Sequence, residues 1–208
     1  MRRGDGVRRA ERPEPLQGLI DRVCGILLSS SAPVMASYMA GQIYSRTARS
    51  GRQRLEGETA SPPIDAWQRT LSKIKGSDGE LAGLMTYLEQ IGPYLSWYRS
   101  RVGPFASVNF EKSHAHSTIL GPGGVEERSD VQLGVTLMAP YCRFPDHFEK
   151  QRRVFLFLSA AEACLRDREW MRAEPGTIVF SDAGDKFALR CTSEPVLAVW
   201  CQLDDRRR

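Results

Sequence analysis

A chain of 208 residues with 41% hydrophobic content can bury one good core, at most a barrel plus a modest helical layer. Its formal charge of +4 sits at the ends, since the first twelve residues hold five arginines against two acids and Arg206 to Arg208 add three more. The body is therefore near neutral, and without an aromatic ladder beside the basic runs it does not read as a nucleic-acid binder. Cys24, Cys142, Cys164, Cys191 and Cys201 are odd in number and never spaced Cys-x2-Cys, which suits reduced thiols in a cytoplasm better than a disulfide framework. No apolar core of signal-peptide length precedes Leu16, and no run is long enough to span a bilayer.

Residues 1–14 combine glycine, proline and dense charge, and are expected to be a disordered basic tail. From there a helical region is expected over 15–92, a barrel over 93–204 and a short charged tail over 205–208. Leu16, Leu19, Ile20, Val23, Ile26 and Leu27 recur at threes and fours, one face of an amphipathic helix. Pro33 can open a second helix with Val34, Met35, Tyr38, Met39 and Ile43 on its inner stripe. The arginine-, glycine- and serine-rich stretch from Ser45 to Pro63 reads as a mobile linker. A third helix is expected from Ile64 to Lys75, with Trp67, Leu71 and Ile74 on its seam. A fourth, with Ser77 and Asp78 as candidate caps, carries Leu81, Leu84, Met85, Leu88 and Ile91 until Gly92-Pro93 stops it. The methionine and aromatic stripes of these helices read as core packing.

After Pro93 the period shortens. Strands are expected over Leu95–Arg99, Ser107–Glu111, Ser117–Leu120, Val131–Ala139, Arg153–Ser159, Glu162–Leu165, Thr177–Phe180, Phe187–Cys191 and Val196–Leu203. GPGG at 121–124, FPDH at 144–147, EPG at 174–176 and SDAGD at 181–185 supply the turns between them. Many short strands at such intervals argue for an antiparallel barrel or jelly roll, and no phosphate-binding glycine loop accompanies them. The fold class expected is α+β: an N-terminal helical layer followed by a C-terminal jelly-roll barrel.

The punctuation from Phe144 to Phe187 has the spacing of a cupin, whose two hairpins bring four metal ligands together as His-x-His-x3-Glu and Gly-x5-Pro-x-Gly-x2-His. His147 fills the first position. Glu149 stands at the second histidine, Arg153 at the glutamate, Asp182 at the proline and Phe187 at the last histidine.

The stretches HAHSTILGPGGVEERSDVQLGVTLMAPYCRFPDHFEKQRRVFLFLS and EPGTIVFSDAGDKFALRCTSEPVLAVWCQL, behind four helices, resemble the cupin-type dimethylsulfoniopropionate (DMSP) lyases over about residues 15 to 203. The resemblance implies a barrel holding a divalent metal on two histidines, a glutamate and a tyrosine. A second tyrosine acts as base, so that dimethyl sulfide leaves and acrylate forms. Carried over position by position, the base tyrosine falls on Phe144, the metal histidines on Glu149 and Phe187, the metal glutamate on Arg153 and the metal tyrosine on Phe155. Only His147, a neighbouring histidine of the pattern, is unchanged. Phenylalanine has no lone pair to offer and a guanidinium repels a cation, so the expectation is a degenerate site that takes no metal. An Arg153–Glu149 pair would replace the metal's charge. The resemblance also implies association of two copies through the helices.

Two functions follow. In the first the chain no longer cleaves DMSP and uses Phe144, His147, Glu149, Arg153, Phe155 and Phe187 to hold a small carboxylate or apolar ligand. In the second a divalent metal (zinc, manganese or iron) returns to a site rebuilt from His147, Glu149, His114 and His116, and the lyase reaction survives. Milder readings stand beside them. His147 is satisfied by Asp146; Glu126, Glu127 and Asp130 are solvated loop charges or partners of Arg128; Cys142 is a buried, inert thiol; and Tyr141, a conceivable replacement base, faces away from Phe144.

Overall fold

In the computed structural model the described residues are 11–55, 66–75 and 79–204. Helices α1 (Glu14–Leu27) and α2 (Val34–Thr47) each begin behind a proline, Pro13 and Pro33, whose φ of −55° is already set for helix entry. Helix α1 buries Leu16, Leu19, Ile20, Val23 and Leu27 along one stripe. Helices α3 (Ala66–Lys75) and α4 (Glu80–Ile91) add Trp67, Leu71, Leu84, Met85 and Leu88 to the same layer. The expected start of α3 at Ile64 and the candidate caps Ser77 and Asp78 lie outside the described residues. A short 3-10 turn at Gly92–Tyr94 ends the helical region.

A large sheet follows the order β1 (Arg52–Gln53), β4 (Glu126–Glu127), β3 (His114–Leu120), β5 (Val131–Met138), β12 (Val196–Leu203), β7 (Arg153–Phe157), β10 (Ile178–Ser181), with β2 (Trp97–Tyr98) paired to β3. A second sheet of four strands has the order β6 (Arg143–Phe148), β11 (Lys186–Arg190), β8 (Ala161–Leu165), β9 (Met171–Ala173). The large sheet is apolar on both faces. Ile119, Leu133, Val135, Leu137, Val154, Leu156, Leu197 and Val199 pack outward on the helices, while Met138, Phe155, Phe157, Val196, Ala198 and Trp200 pack inward against the second sheet. Strand alternation thus gives one sheet two cores, and that is why β12 reads as a nearly unbroken apolar run while β5 alternates Val and Leu with inward Gln132, Gly134 and Thr136.

Three expected elements differ: the linker expected from Ser45 begins inside α2, which runs to Thr47, and supplies β1 at Arg52–Gln53. Ser107–Glu111 is not a strand: Phe110 N–H bonds to Ser107 O and Lys112 N–H to Asn109 O, turning the chain into the short helix α5 (Phe110–Ser113). Conversely FPDH is not a turn, because Phe144 and His147 pair with Leu189 and Phe187 inside β6.

The N-terminal stretch is tied down from Arg12 onward by a buried carboxylate. Glu126 is fully buried and accepts hydrogen bonds from Arg12 Nε (2.7 Å), Arg128 Nη1 (3.1 Å) and the Gly51 N–H (2.8 Å). Of the two expected readings it is thus a partner of Arg128 and not a solvated loop charge. Arg12 leaves the expected disordered tail to join it, while residues 1–10 and 205–208 lie outside the described residues. Burial pushes the pKa of Glu126 up, but the Arg12 hydrogen bond, the Gly51 N–H and the guanidinium charges outweigh burial and hold it below the usual carboxylate value. Asp130, bonded to Arg128 at 2.8 Å, is lowered chiefly by that bond.

Replacing Glu126 with Ala strands the largely buried guanidinium of Arg12, while Arg128 keeps Asp130, and is expected to cost about 3 kcal/mol in urea unfolding. Because both carboxylates have depressed folded pKa values, their stabilisation is present above the unfolded carboxylate range, roughly pH 4. It is lost as pH falls through the folded values, and Glu126→Ala is expected to flatten that acid limb.

Candidate functional site

Residues from seven strands meet around a cavity of about 220 Å³. From β7 come Arg153 and Phe155, from β12 Trp200, from β3 His116, from β6 Phe144 and His147, and from β11 Phe187 and Leu189. Phe144 and His147 are three apart and in a regular strand would face opposite ways. They share the cavity because the β6–β11 register slips between Phe187 and Leu189, so three steps on β6 oppose two on β11. Gly134 on β5 is the other backbone device. A Cβ there would stand 2.4 Å from the Trp200 ring and 2.5 Å from Ser117 O, so only glycine lets the indole lie across the sheet.

Arg153 is 28% exposed. It donates from Nε and Nη2 to Gln202 Oε1 at 3.2 and 2.9 Å, while its Nε is 3.5 Å from Glu149 Oε2. Its guanidinium carbon lies 5.3 Å from the Trp200 ring centre and 5.9 Å from that of Phe155. The charge is thus flanked by a carboxylate, a carboxamide and two aromatic faces, an arrangement in which a guanidinium is stable and fixed in position. Among the described residues its Nη1 has no acceptor, which leaves donors for a ligand. Phe155 and Phe187, both at positions that the resemblance assigns to metal ligands, stack on each other at 4.4 Å and 4°.

Glu149 is buried, and its Oε1, 3.5 Å from His147 Nε2, has no hydrogen-bond partner. His147 donates from Nδ1 to the Pro145 carbonyl at 3.0 Å. Asp146 does not satisfy it, being turned to Arg143 (2.8 Å) and Lys186 (3.5 Å) on the other side of β6.

The proposed pooling of His114, His116, His147 and Glu149 on one metal is not what the fold assembles. His114 has both ring nitrogens engaged, Nδ1 with Phe110 O at 2.5 Å and Nε2 with the Ser100 N–H at 2.7 Å, and its ring stacks on Phe110 at 3.7 Å. Phe144 packs edge-on against both His116 (5.6 Å) and His147 (5.1 Å). Among the described residues no three His, Cys, Asp or Glu side chains are placed to share an ion. With two phenylalanines and a guanidinium at the remaining positions, the donor set does not fit a divalent cation.

Tyr141, at φ 59° and 72% exposed, is a turn residue away from the cavity. Cys142 is buried, and desolvation raises its pKa, so no thiolate is available there. The sequence offered no direct sign of Tyr98, Ser100, Gln132, Thr136, Leu189 or Trp200 as cavity walls. The signal was available in the alternation of β5 and β12 once one face is known to point inward.

Two stacked sheets closing on a polar and aromatic cavity, with helices on the outer face, make this a cupin. A family model for dimethylsulfoniopropionate lyase matches residues 36–198, and the chain belongs to that family. No curated protein sequence matches the chain. In three dimensions it resembles a chain from crystal structures of the DMSP lyases RdDddP and RnDddQII, with a TM-score of 0.67 at 15% identity over 91% of this chain and 92% of that one. It also resembles the DMSP lyase DddQ from Ruegeria pomeroyi DSS-3, with a TM-score of 0.63 at 16% identity over 95% of both chains. At such identities the likeness shows the shared fold.

Removing the cation alone, as in Arg153→Met, leaves Glu149 buried without a counter-charge, and about 3 kcal/mol of unfolding free energy is expected to be lost. Adding Glu149→Met to it is expected to recover most of that loss in the same denaturation assay, because the site then buries neither charge.

Proposed function

We propose that this family member binds a small carboxylate at Arg153 and does not run the metal-dependent elimination. The observation that carries the reading is the guanidinium itself. It occupies the position that the resemblance assigns to the metal glutamate, lines the cavity and is partly exposed to whatever enters. A carboxylate there takes charge-assisted hydrogen bonds from a donor array that Gln202 and the aromatic faces of Trp200 and Phe155 already hold in place. The cavity exceeds the roughly 150 Å³ that accepts a benzene ring, so a ligand of a few carbons is accommodated.

Phe144 stands where the family's base would be and has no proton-accepting atom, which supports loss of the elimination as well as loss of the metal. The five cysteines are free and buried, in keeping with a reducing cytoplasm, and no helix among the described residues is long and apolar enough to cross a membrane. Pairing of two copies through the helices is supported by Leu28, Val34 and Tyr38, which leave apolar surface exposed on that layer.

Isothermal titration with propionate and acrylate is expected to show binding that weakens tenfold or more in Arg153→Met, about 1.4 kcal/mol for each tenfold. Unchanged affinity would remove Arg153 from the site. In parallel, protein incubated with manganese, zinc or iron and then desalted is expected to carry metal only at background by elemental mass spectrometry. Close to one ion per chain, or dimethyl sulfide released from DMSP, would overturn the reading in favour of a working lyase.

A further inference from the structure

We propose that the carboxylate taken by this pocket is a short hydroxy acid whose hydroxyl is read by His116. The inference rests on the reading of Arg153 as the carboxylate site and adds a second anchor on another wall of the cavity. His116 lines that cavity from β3 and is 7% exposed. Its Nδ1 pairs with Thr136 Oγ1 at 2.8 Å, while its Nε2 is buried without any hydrogen-bond partner.

His114, two residues earlier on the same strand, is the internal control: both of its nitrogens are matched by backbone groups. Buried polar atoms in folded proteins are paired as a rule, so a single imidazole nitrogen left unmatched in a cavity wall marks where a ligand supplies the partner.

The chemistry of that partner follows from the state of the ring. Burial first, then the neighbouring His114, Arg153 and His147, push the pKa of His116 down to about 3, so the imidazole is neutral at physiological pH and does not attract a second carboxylate. Which nitrogen carries the proton depends on whether the Thr136 hydroxyl donates or accepts. A ligand hydroxyl serves either tautomer because it can donate and accept, whereas a carbonyl, which only accepts, or an ammonium, which only donates, serves one. The imidazole is flanked by aromatic rings, with Tyr98 5.5 Å and Phe144 5.6 Å away between ring centres. Tyr98, 46% exposed, stands at the rim of the cavity.

The test is isothermal titration of the full chain with matched pairs: propionate against 2-hydroxypropionate and 3-hydroxypropionate, and butyrate against 4-hydroxybutyrate. At least one hydroxy acid is expected to bind about tenfold or more tighter than its parent, because the parent leaves Nε2 unpaired under the ligand. In His116→Phe the ratio is expected to collapse to about one, since a ring of similar shape remains without the nitrogen. Should His116→Phe fail to fold, the wild-type ratio decides alone. Parent acids that bind as well as every hydroxy acid, or a ratio that survives His116→Phe, overturn the role of His116 and leave Arg153 untouched. No binding by any member of the series overturns both.

Discussion

A guanidinium inside a barrel cannot shed its charge, so everything around Arg153 has to answer it. Glu149 supplies the counter-charge from the end of the neighbouring hairpin, Gln202 takes two N–H groups across the β7–β12 pairing, and Trp200 and Phe155 present their faces. Each answer in turn constrains the backbone. Trp200 fits only because residue 134 is glycine, and Gln202 reaches Arg153 only because the two are paired in register. Phe155 and Phe187 then close on each other. Arg153, Phe155 and Phe187, at positions that the resemblance assigns to metal ligands, therefore form one arrangement, a permanent organic cation beside an aromatic stack.

The large sheet makes that arrangement possible by separating two jobs. Its outer face buries branched aliphatic side chains against four helices and carries the bulk of the hydrophobic stabilisation. Its inner face is freed to hold histidines, glutamines and an arginine beside aromatics, a mixture that a single small core would tolerate poorly. A barrel of this kind can exchange the contents of its cavity without losing its fold, because most of the folding free energy is gained on the far side of the strands.

How much of this was legible depended on period. The helices and the long strands were readable because Leu16, Leu19, Ile20 and Val23, or the runs at 131–138 and 196–203, repeat with a single period. That Phe144, His147, Arg153, Phe155 and Phe187 share a cavity was legible in the spacing from Phe144 to Phe187. Other features depended on contacts that no local pattern encodes. FPDH has the composition of a turn, and only its pairing with β11, bulge included, makes it a strand. Glu126 reads as a loop charge until Arg12, more than a hundred residues earlier, is brought to it. The difference between His114 and His116 is likewise set by non-local neighbours, Ser100 and Phe110 for one and Thr136 for the other.

The margin of the large sheet at β1 and β4 bears on how the molecule behaves in crowded solution. Both strands are only two residues long, and the carboxylate of Glu126 and the arginines around it sit where a longer strand would have offered a ladder of unpaired amides. An incoming extended chain finds there too few backbone groups to register with, and charges that would have to give up their partners before it could dock. The clasp that anchors the N-terminal stretch thus also blunts that edge of the sheet, so that copies of the protein have no open flank there on which to grow into one another.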